Sequence, residues 1–313
     1  MQDPAVETSY GQPDPGAKRR TWQKCLPNPG ALVRRRRLES VFESIFTISG
    51  FTEIAVPLVD FESELPGVAA RYRMLDSDGE VLNVRSDFTP FVFRAIAGLS
   101  SPPRRIWYRG EVIGREHATL AGGADSWEMG AELIGNRSGD DLEIIRLALA
   151  VMKAAGIPSR IEVSDVRFVG ALIDESDLTT DLGNAVRKSL ATKNGAQLSA
   201  LRETLPCSTF QLLEALRTGT ISRSELTGES GKIAGQLELL RENTSPESVE
   251  IHLDDVWEPA SYYSALRFRI VAHDGTVLGS GGRYVLPGNK GPLAGVGFKI
   301  GMDRLERIAG RIR

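Results

Sequence analysis

Residues 104–135 read RRIWYRGEVIGREHATLAGGADSWEMGAELIG. The first arm, Ile106-Trp107-Tyr108-Arg109 and then Val112-Ile113, is β-branched and aromatic, the composition of a strand. In the second arm Met129, Ala131 and Leu133 alternate with Glu128, Gly130 and Glu132, the period of a strand with two distinct faces. Between the arms, residues 115–126 are small, polar and glycine-rich, with Gly122-Gly123 at the tip. The pattern predicts a long antiparallel hairpin with an extended connecting loop. Residues i and i+4 of a strand share a side, so Glu128 and Glu132 point the same way. Two carboxylates facing one way suit a cationic or hydrogen-bond-rich small ligand. The plain alternative is that both face water.

The chain of 313 residues is 41% hydrophobic and 25% charged, the balance of an ordinary globular protein long enough for one large domain or two. A net charge of -3 argues against a protein that coats nucleic acid. Arg34-Arg35-Arg36-Arg37 is the one dense basic run, and it precedes an amphipathic segment, so a solvated helix face competes with a phosphate contact. The two cysteines, Cys25 and Cys207, have no partnering histidines nearby and form neither a disulfide framework nor a zinc site. No apolar stretch approaches the ~18 residues of a membrane span, and the N-terminus lacks a signal peptide's apolar core. The expected compartment is the cytoplasm.

Outward from the hairpin, residues 1–29 are rich in Pro, Gly, Asp and Gln and read as a poorly ordered leader. Leu38, Val41, Phe42, Ile45 and Phe46 recur at helical spacing in a helix that ends at Gly50. An apolar strand over 51–61 follows; its Pro57 puts it at a sheet edge, either a subunit interface or an edge covered by the chain itself. Asp78-Gly79 turns a hairpin into Val81–Val84, and Thr89-Pro90 then predicts an N-cap followed by a first helical proline. That helix carries Phe91, Ile96 and Leu99. Asp87 and Thr89 read as capping residues or as ligand contacts, and the two roles are compatible. Ser138-Gly-Asp-Asp141 predicts a capping box for a helix whose face is Leu142, Ile145, Leu149 and Met152, closed by Gly156 and Pro158. A short strand spans 161–163, and 167–245 reads as short helices, an insert without a separate large core. Strands return at 249–253, then 265–272 and 276–280 around His273-Asp274-Gly275. Gly279-Ser-Gly-Gly282 permits close backbone approach. In GVGFKIGMDRL, residues 295–305, glycine alternates with bulky residues along a strand that runs into a helix and places Arg304 beside the sheet.

These stretches, in this order, resemble the catalytic core of histidyl-tRNA synthetase, a class II aminoacyl-tRNA synthetase. Residues 50–57 resemble class II motif 1, a dimer interface in that class; residues 106–135 resemble motif 2, and GVGFKIGMDRL resembles motif 3. Tyr262-Tyr263 and SGGRY at 280–284 are similar to stretches particular to the histidine enzymes. The likeness covers about residues 26–310. It implies an α+β fold, a class II antiparallel sheet flanked by helices, with a helical insertion and without the anticodon-binding domain.

The resemblance also implies histidine-binding roles. Asp87 stands where the family has a glutamate on the ligand's amino group, and Thr89 matches its threonine. Glu132 and Tyr263 match the groups that read the imidazole, and Glu128 replaces a glutamine. Tyr284 lines the same pocket, with Arg283 and Arg304 beside it. The chemistry is consistent: an ammonium wants carboxylates, and imidazole nitrogens want acceptors and hydroxyls.

The departures bear on catalysis. Amino-acid adenylation needs arginines on the α-phosphate. Motif 2 supplies one, two residues before a glutamate; here that glutamate is Glu116 and the position holds Gly114. The second, just before the Tyr-Tyr pair, aligns with Glu258. Losing two donors at ~2.7–4 kcal/mol each removes roughly four to six orders of magnitude in rate. A synthetase core that keeps its amino-acid pocket and loses these arginines looks like the regulatory subunits of ATP phosphoribosyltransferase. The resemblance implies no catalytic residue, cofactor or metal of its own. It implies a homodimer paired with the short catalytic subunit in a hetero-octamer, activating that subunit in the first step of histidine biosynthesis, with histidine as feedback effector and without tRNA. A divergent amino-acid ligase and a scaffold that binds no amino acid are the alternatives.

Overall fold

A computed structural model describes residues 29–60, 72–97, 99, 103–114, 125–255, 262–286 and 291–311. The leader expected over 1–29 (save its last residue), most of the 115–126 loop including Glu116, Cys25 and Glu258 lie outside the described residues.

The expected hairpin forms from β5 (Arg105–Ile113) and β6 (Asp125–Ile134), with Trp107 opposite Ala131 and Gly110 opposite Glu128. It sits within an eight-stranded sheet of order β1-β5-β6-β11-β10-β9-β7-β8. The other members are β1 (Thr52–Glu53), β7 (Ser159–Asp165), β8 (Val249–Ile251), β9 (Tyr263–Ala272), β10 (Val277–Leu286) and β11 (Leu293–Gly301). The centre is antiparallel, and β1 and β8 add to it in parallel at the two edges. A small antiparallel sheet holds β2 (Val59–Asp60), β4 (Val81–Val84) and β3 (Arg73–Leu75), in that order. The expected strand over 51–61 is therefore two short pieces, because Pro57 has no N–H to extend a ladder.

One face of the large sheet is covered by α1 (Pro29–Ile48), α3 (Asp140–Ala154) and α9 (Met302–Ala309). Leu38, Phe42 and Phe46, four residues apart, form the buried stripe of α1. The Phe46 ring meets Phe42, Trp107 and Phe298 with centroids 6.1, 5.7 and 6.2 Å away, so one aromatic side chain ties the helix to β5 and β11. The arginine run is not a bare solvated face. Arg34 Nε donates to Glu306 at 2.6 Å and Arg35 pairs with Asp303 at 3.4 Å, joining α1 to α9, while Arg36 and Arg37 remain exposed.

On the opposite face lies α2 (Phe88–Ala97), which buries Phe88, Val92, Phe93 and Ile96 against Ile106, Tyr108 and Tyr284. The expected stripe of Phe91, Ile96 and Leu99 was one residue out of phase at its start, and Leu99 is exposed beyond the helix. In α3 the buried stripe runs through Ile144, Ile145, Ala148, Val151 and Met152 rather than Leu142 and Leu149, which are half-buried. Its expected capping box is absent: the N-cap is Gly139 at φ 88, and Asp140 turns back to accept the Arg137 N–H at 2.9 Å and to pair with Arg104.

Between β7 and β8 the chain forms five helices: α4 (Phe168–Glu175), α5 (Thr180–Ala191), α6 (Gly195–Ala200), α7 (Cys207–Arg217) and α8 (Gly228–Glu242). They enclose an apolar cluster of their own, including Phe168, Leu172, Leu198, Leu213 and Ile233, a more complete core than their sequence suggested.

Candidate functional site

The central strands present opposite faces residue by residue, as the strand period requires. On β6, Met129, Ala131 and Leu133 join the apolar core, while Glu128 and Glu132 lie on the α2 side, only 3% and 1% exposed. The reading in which both carboxylates face water is therefore excluded. On β11, Val296, Phe298 and Ile300 face the core and Gly295, Gly297 and Lys299 share the other face. The glycines are needed there. A Cβ on Gly297 would collide with the Glu132 carboxylate, and one on Gly295 would sit 2.6 Å from the Tyr284 hydroxyl.

Glu132 is the hub. Its Oε1 accepts from the Thr89 hydroxyl at 2.9 Å and from the Tyr108 hydroxyl at 3.2 Å, and its Oε2 accepts from Tyr284 at 2.7 Å. Burial pushes its carboxyl up from 4.5 to about 7, outweighing the three hydroxyls that favour the charged form. Tyr108, held by stacking on Phe88 with centroids 4.3 Å apart, was not singled out from sequence. Thr89 is the second residue of α2 rather than its N-cap. The cap is Asp87, whose Oδ1 accepts the Thr89 N–H at 3.2 Å, leaving the threonine hydroxyl free to turn inward to Glu132.

The second centre is Lys299, which sequence reasoning also missed. Its ammonium lies 3.4 Å from Glu128 and 3.9 Å from Asp87, whose Oδ2 also accepts from the Tyr262 hydroxyl at 2.7 Å. Burial alone lowers the lysine pKa, but Asp87 and Glu128 outweigh it and hold the ammonium firmly charged. Period two along Gly295, Gly297 and Lys299 was the signal that could have found it.

Asp87, Thr89, Glu132, Tyr263 and Tyr284 line one cavity. It measures about 10 Å³, room for roughly one water molecule. Glu128 reaches the cavity's edge through Lys299. Two expected residues stand apart. Arg283 alternates with Tyr284 on β10 and so turns to the helix side, where Nε donates to Asp141 at 3.0 Å. Arg304, on α9, donates to the Val277 carbonyl at 3.1 Å and does not line the cavity. Among the described residues lining it there is no arginine, histidine or cysteine. Elsewhere Glu162, Glu250 and His252 approach one another, but Arg160 and Arg269 already pair with Glu162 and Arg160 with Glu250, as a structural ion network would.

This geometry has counterparts. The family model for histidyl-tRNA synthetase matches residues 27–305. An ATP phosphoribosyltransferase regulatory subunit of Deinococcus radiodurans is 30% identical over 307 residues, covering 90% of this chain and 73% of that one. A crystal structure of an ATP phosphoribosyltransferase regulatory subunit/histidyl-tRNA synthetase from Bacillus halodurans superposes with a TM-score of 0.77 at 22% identity, covering 90% of this chain and 80% of that one. A chain of the HisG:HisZ complex of ATP phosphoribosyl transferase from Thermotoga maritima gives 0.67 at 21% identity, covering 86% and 97%. With the class II sheet and the convergent pocket in place, the chain belongs to the histidyl-tRNA synthetase family and, within it, to the ATP phosphoribosyltransferase regulatory subunits.

Proposed function

We propose that this chain binds a separate catalytic ATP phosphoribosyltransferase chain, raises its activity, makes the assembled complex responsive to histidine, and has no aminoacylation activity of its own. The observation that carries the reading is the cavity's lining: the side chains to which the family likeness gives an amino-acid-binding role converge, yet the one cation among the described residues that line it is Lys299, already engaged by Asp87 and Glu128. A triphosphate would meet carboxylates there without arginines to stabilise its developing charge. A homodimer through α1 and the strand around Pro57 is part of the same reading, supported by the likeness of residues 50–57 to class II motif 1. The test is the rate of phosphoribosyl transfer by the catalytic chain alone and with an equimolar amount of this chain. A clear rise is expected; an unchanged rate under conditions where the two chains co-elute overturns the reading. Ile48→Arg should weaken self-association in sedimentation experiments.

A further inference from the structure

The acidic half of the cavity already holds a cation. Lys299 reaches across from β11 so that its ammonium stands between Asp87, at the start of α2, and Glu128, on β6. The lysine side chain is a quarter exposed and the Glu128 side chain 4% exposed, so the contact lies mostly out of water. The space left beside the lysine, about 10 Å³, is that of roughly one water molecule. A second ammonium brought to Asp87 would stand beside the first, in surroundings where like charges repel far more strongly than in water.

We propose that Lys299 is a tethered occupant of the cavity's cation site and sets its specificity, closing it to free α-amino acids, histidine included. The proposal is independent of whether the chain activates a catalytic partner. A histidine response of the assembled complex would then enter through a different surface, and this cavity would serve as a fixed structural centre.

Lysine is a competitor that never dissociates, because its backbone is part of β11; a free ligand must lose translational freedom to take the same place. Removing everything beyond Cβ leaves a space shaped for n-propylammonium, which reproduces the deleted atoms. Lys299→Ala should therefore melt lower than wild type, and n-propylammonium chloride should restore its melting temperature saturably, compared with sodium chloride at equal ionic strength. Wild type should show no such gain. L-histidine should bind Lys299→Ala roughly tenfold or more tightly than wild type, the range a charge-assisted contact supplies.

The experiment is calorimetric titration and thermal melting of the full chain with both probes. The double variant Lys299→Ala/Glu128→Gln, with less uncompensated charge, serves if the single variant does not fold. Saturable histidine binding to wild type that Asp87→Asn abolishes overturns the proposal. So does a folded Lys299→Ala, or the double variant in its place, that gains nothing from n-propylammonium. Histidine binding to wild type that is indifferent to Asp87→Asn places that ligand elsewhere and supports it.

Discussion

Strands β6 and β11 carry two faces of opposite character within the same residues. One face, Met129, Ala131, Leu133, Val296, Phe298 and Ile300, is wholly apolar and seals against α1, α3 and α9. The other holds Glu128, Glu132 and Lys299 separated by glycines, with tyrosine hydroxyls folded over them. The first face owes its stability to area removed from water, which is non-directional and tolerant of exchange. The second depends on matched donors, acceptors and charges, where each missing partner is felt. The fold and the site can therefore be broken separately.

The largest expected effect lies on the apolar face. Phe298→Ala should cost about 3–5 kcal/mol, since it empties the space against Phe46. Urea denaturation measures it; a loss of less than about 1 kcal/mol would mean the helix layer is not packed as described.

Next is a pH effect confined to the polar face. Folding raises the Glu132 pKa from 4.5 to about 7, so the native state binds this proton more tightly than the unfolded chain does. Its contribution is fully present below 4.5 and is lost as pH rises through about 7. The span corresponds to roughly 3 kcal/mol for a fully buried group. Relative to Glu132→Gln, wild type should lose stability steadily across that window. Parallel stability curves for the two proteins would contradict the buried carboxyl.

Gly297→Ala should cost about 1–3 kcal/mol, because the new methyl meets the Glu132 carboxylate and also lies 2.6 Å from the Ala131 carbonyl oxygen. Thermal melting of the single variant and of Gly297→Ala/Glu132→Ala separates the clash from a general loss of strand fit. The smallest effect belongs to the rim of the helix layer, where Glu306→Ala removes the Arg34 pair, with side chains 30% and 11% exposed. A loss of about 0.2–1 kcal/mol is expected, reduced further in high salt.

The sequence made the apolar face legible, and with it the hairpin and the strand-to-helix passage at 293–309, because period two and period 3.6 leave clear marks on hydrophobic residues. The polar face was legible only in part. Glu132 was marked by strand spacing and Thr89 by the start of α2, and Tyr284 came from family likeness, whereas Tyr108 looks like any aromatic strand residue until its hydroxyl is seen on Glu132. Arg283 was expected beside the pocket that Tyr284 lines, but neighbours along a strand face opposite ways and Asp141 pairs with it on the other side. Asp140 likewise reads as part of a cap until Arg104, remote in sequence, pairs with it. Tertiary partners decide such polar residues, and no local pattern announces them.

The claim that joins both faces is that the synthetase frame is kept while its chemistry is gone. Histidine-dependent exchange of pyrophosphate into ATP by the purified chain tests it most directly. The account predicts no exchange above the protein-free background, with Gly114 at the position where the likeness to motif 2 implies an arginine and Lys299 held between Asp87 and Glu128. Exchange that saturates with histidine and disappears in Glu132→Gln would contradict it.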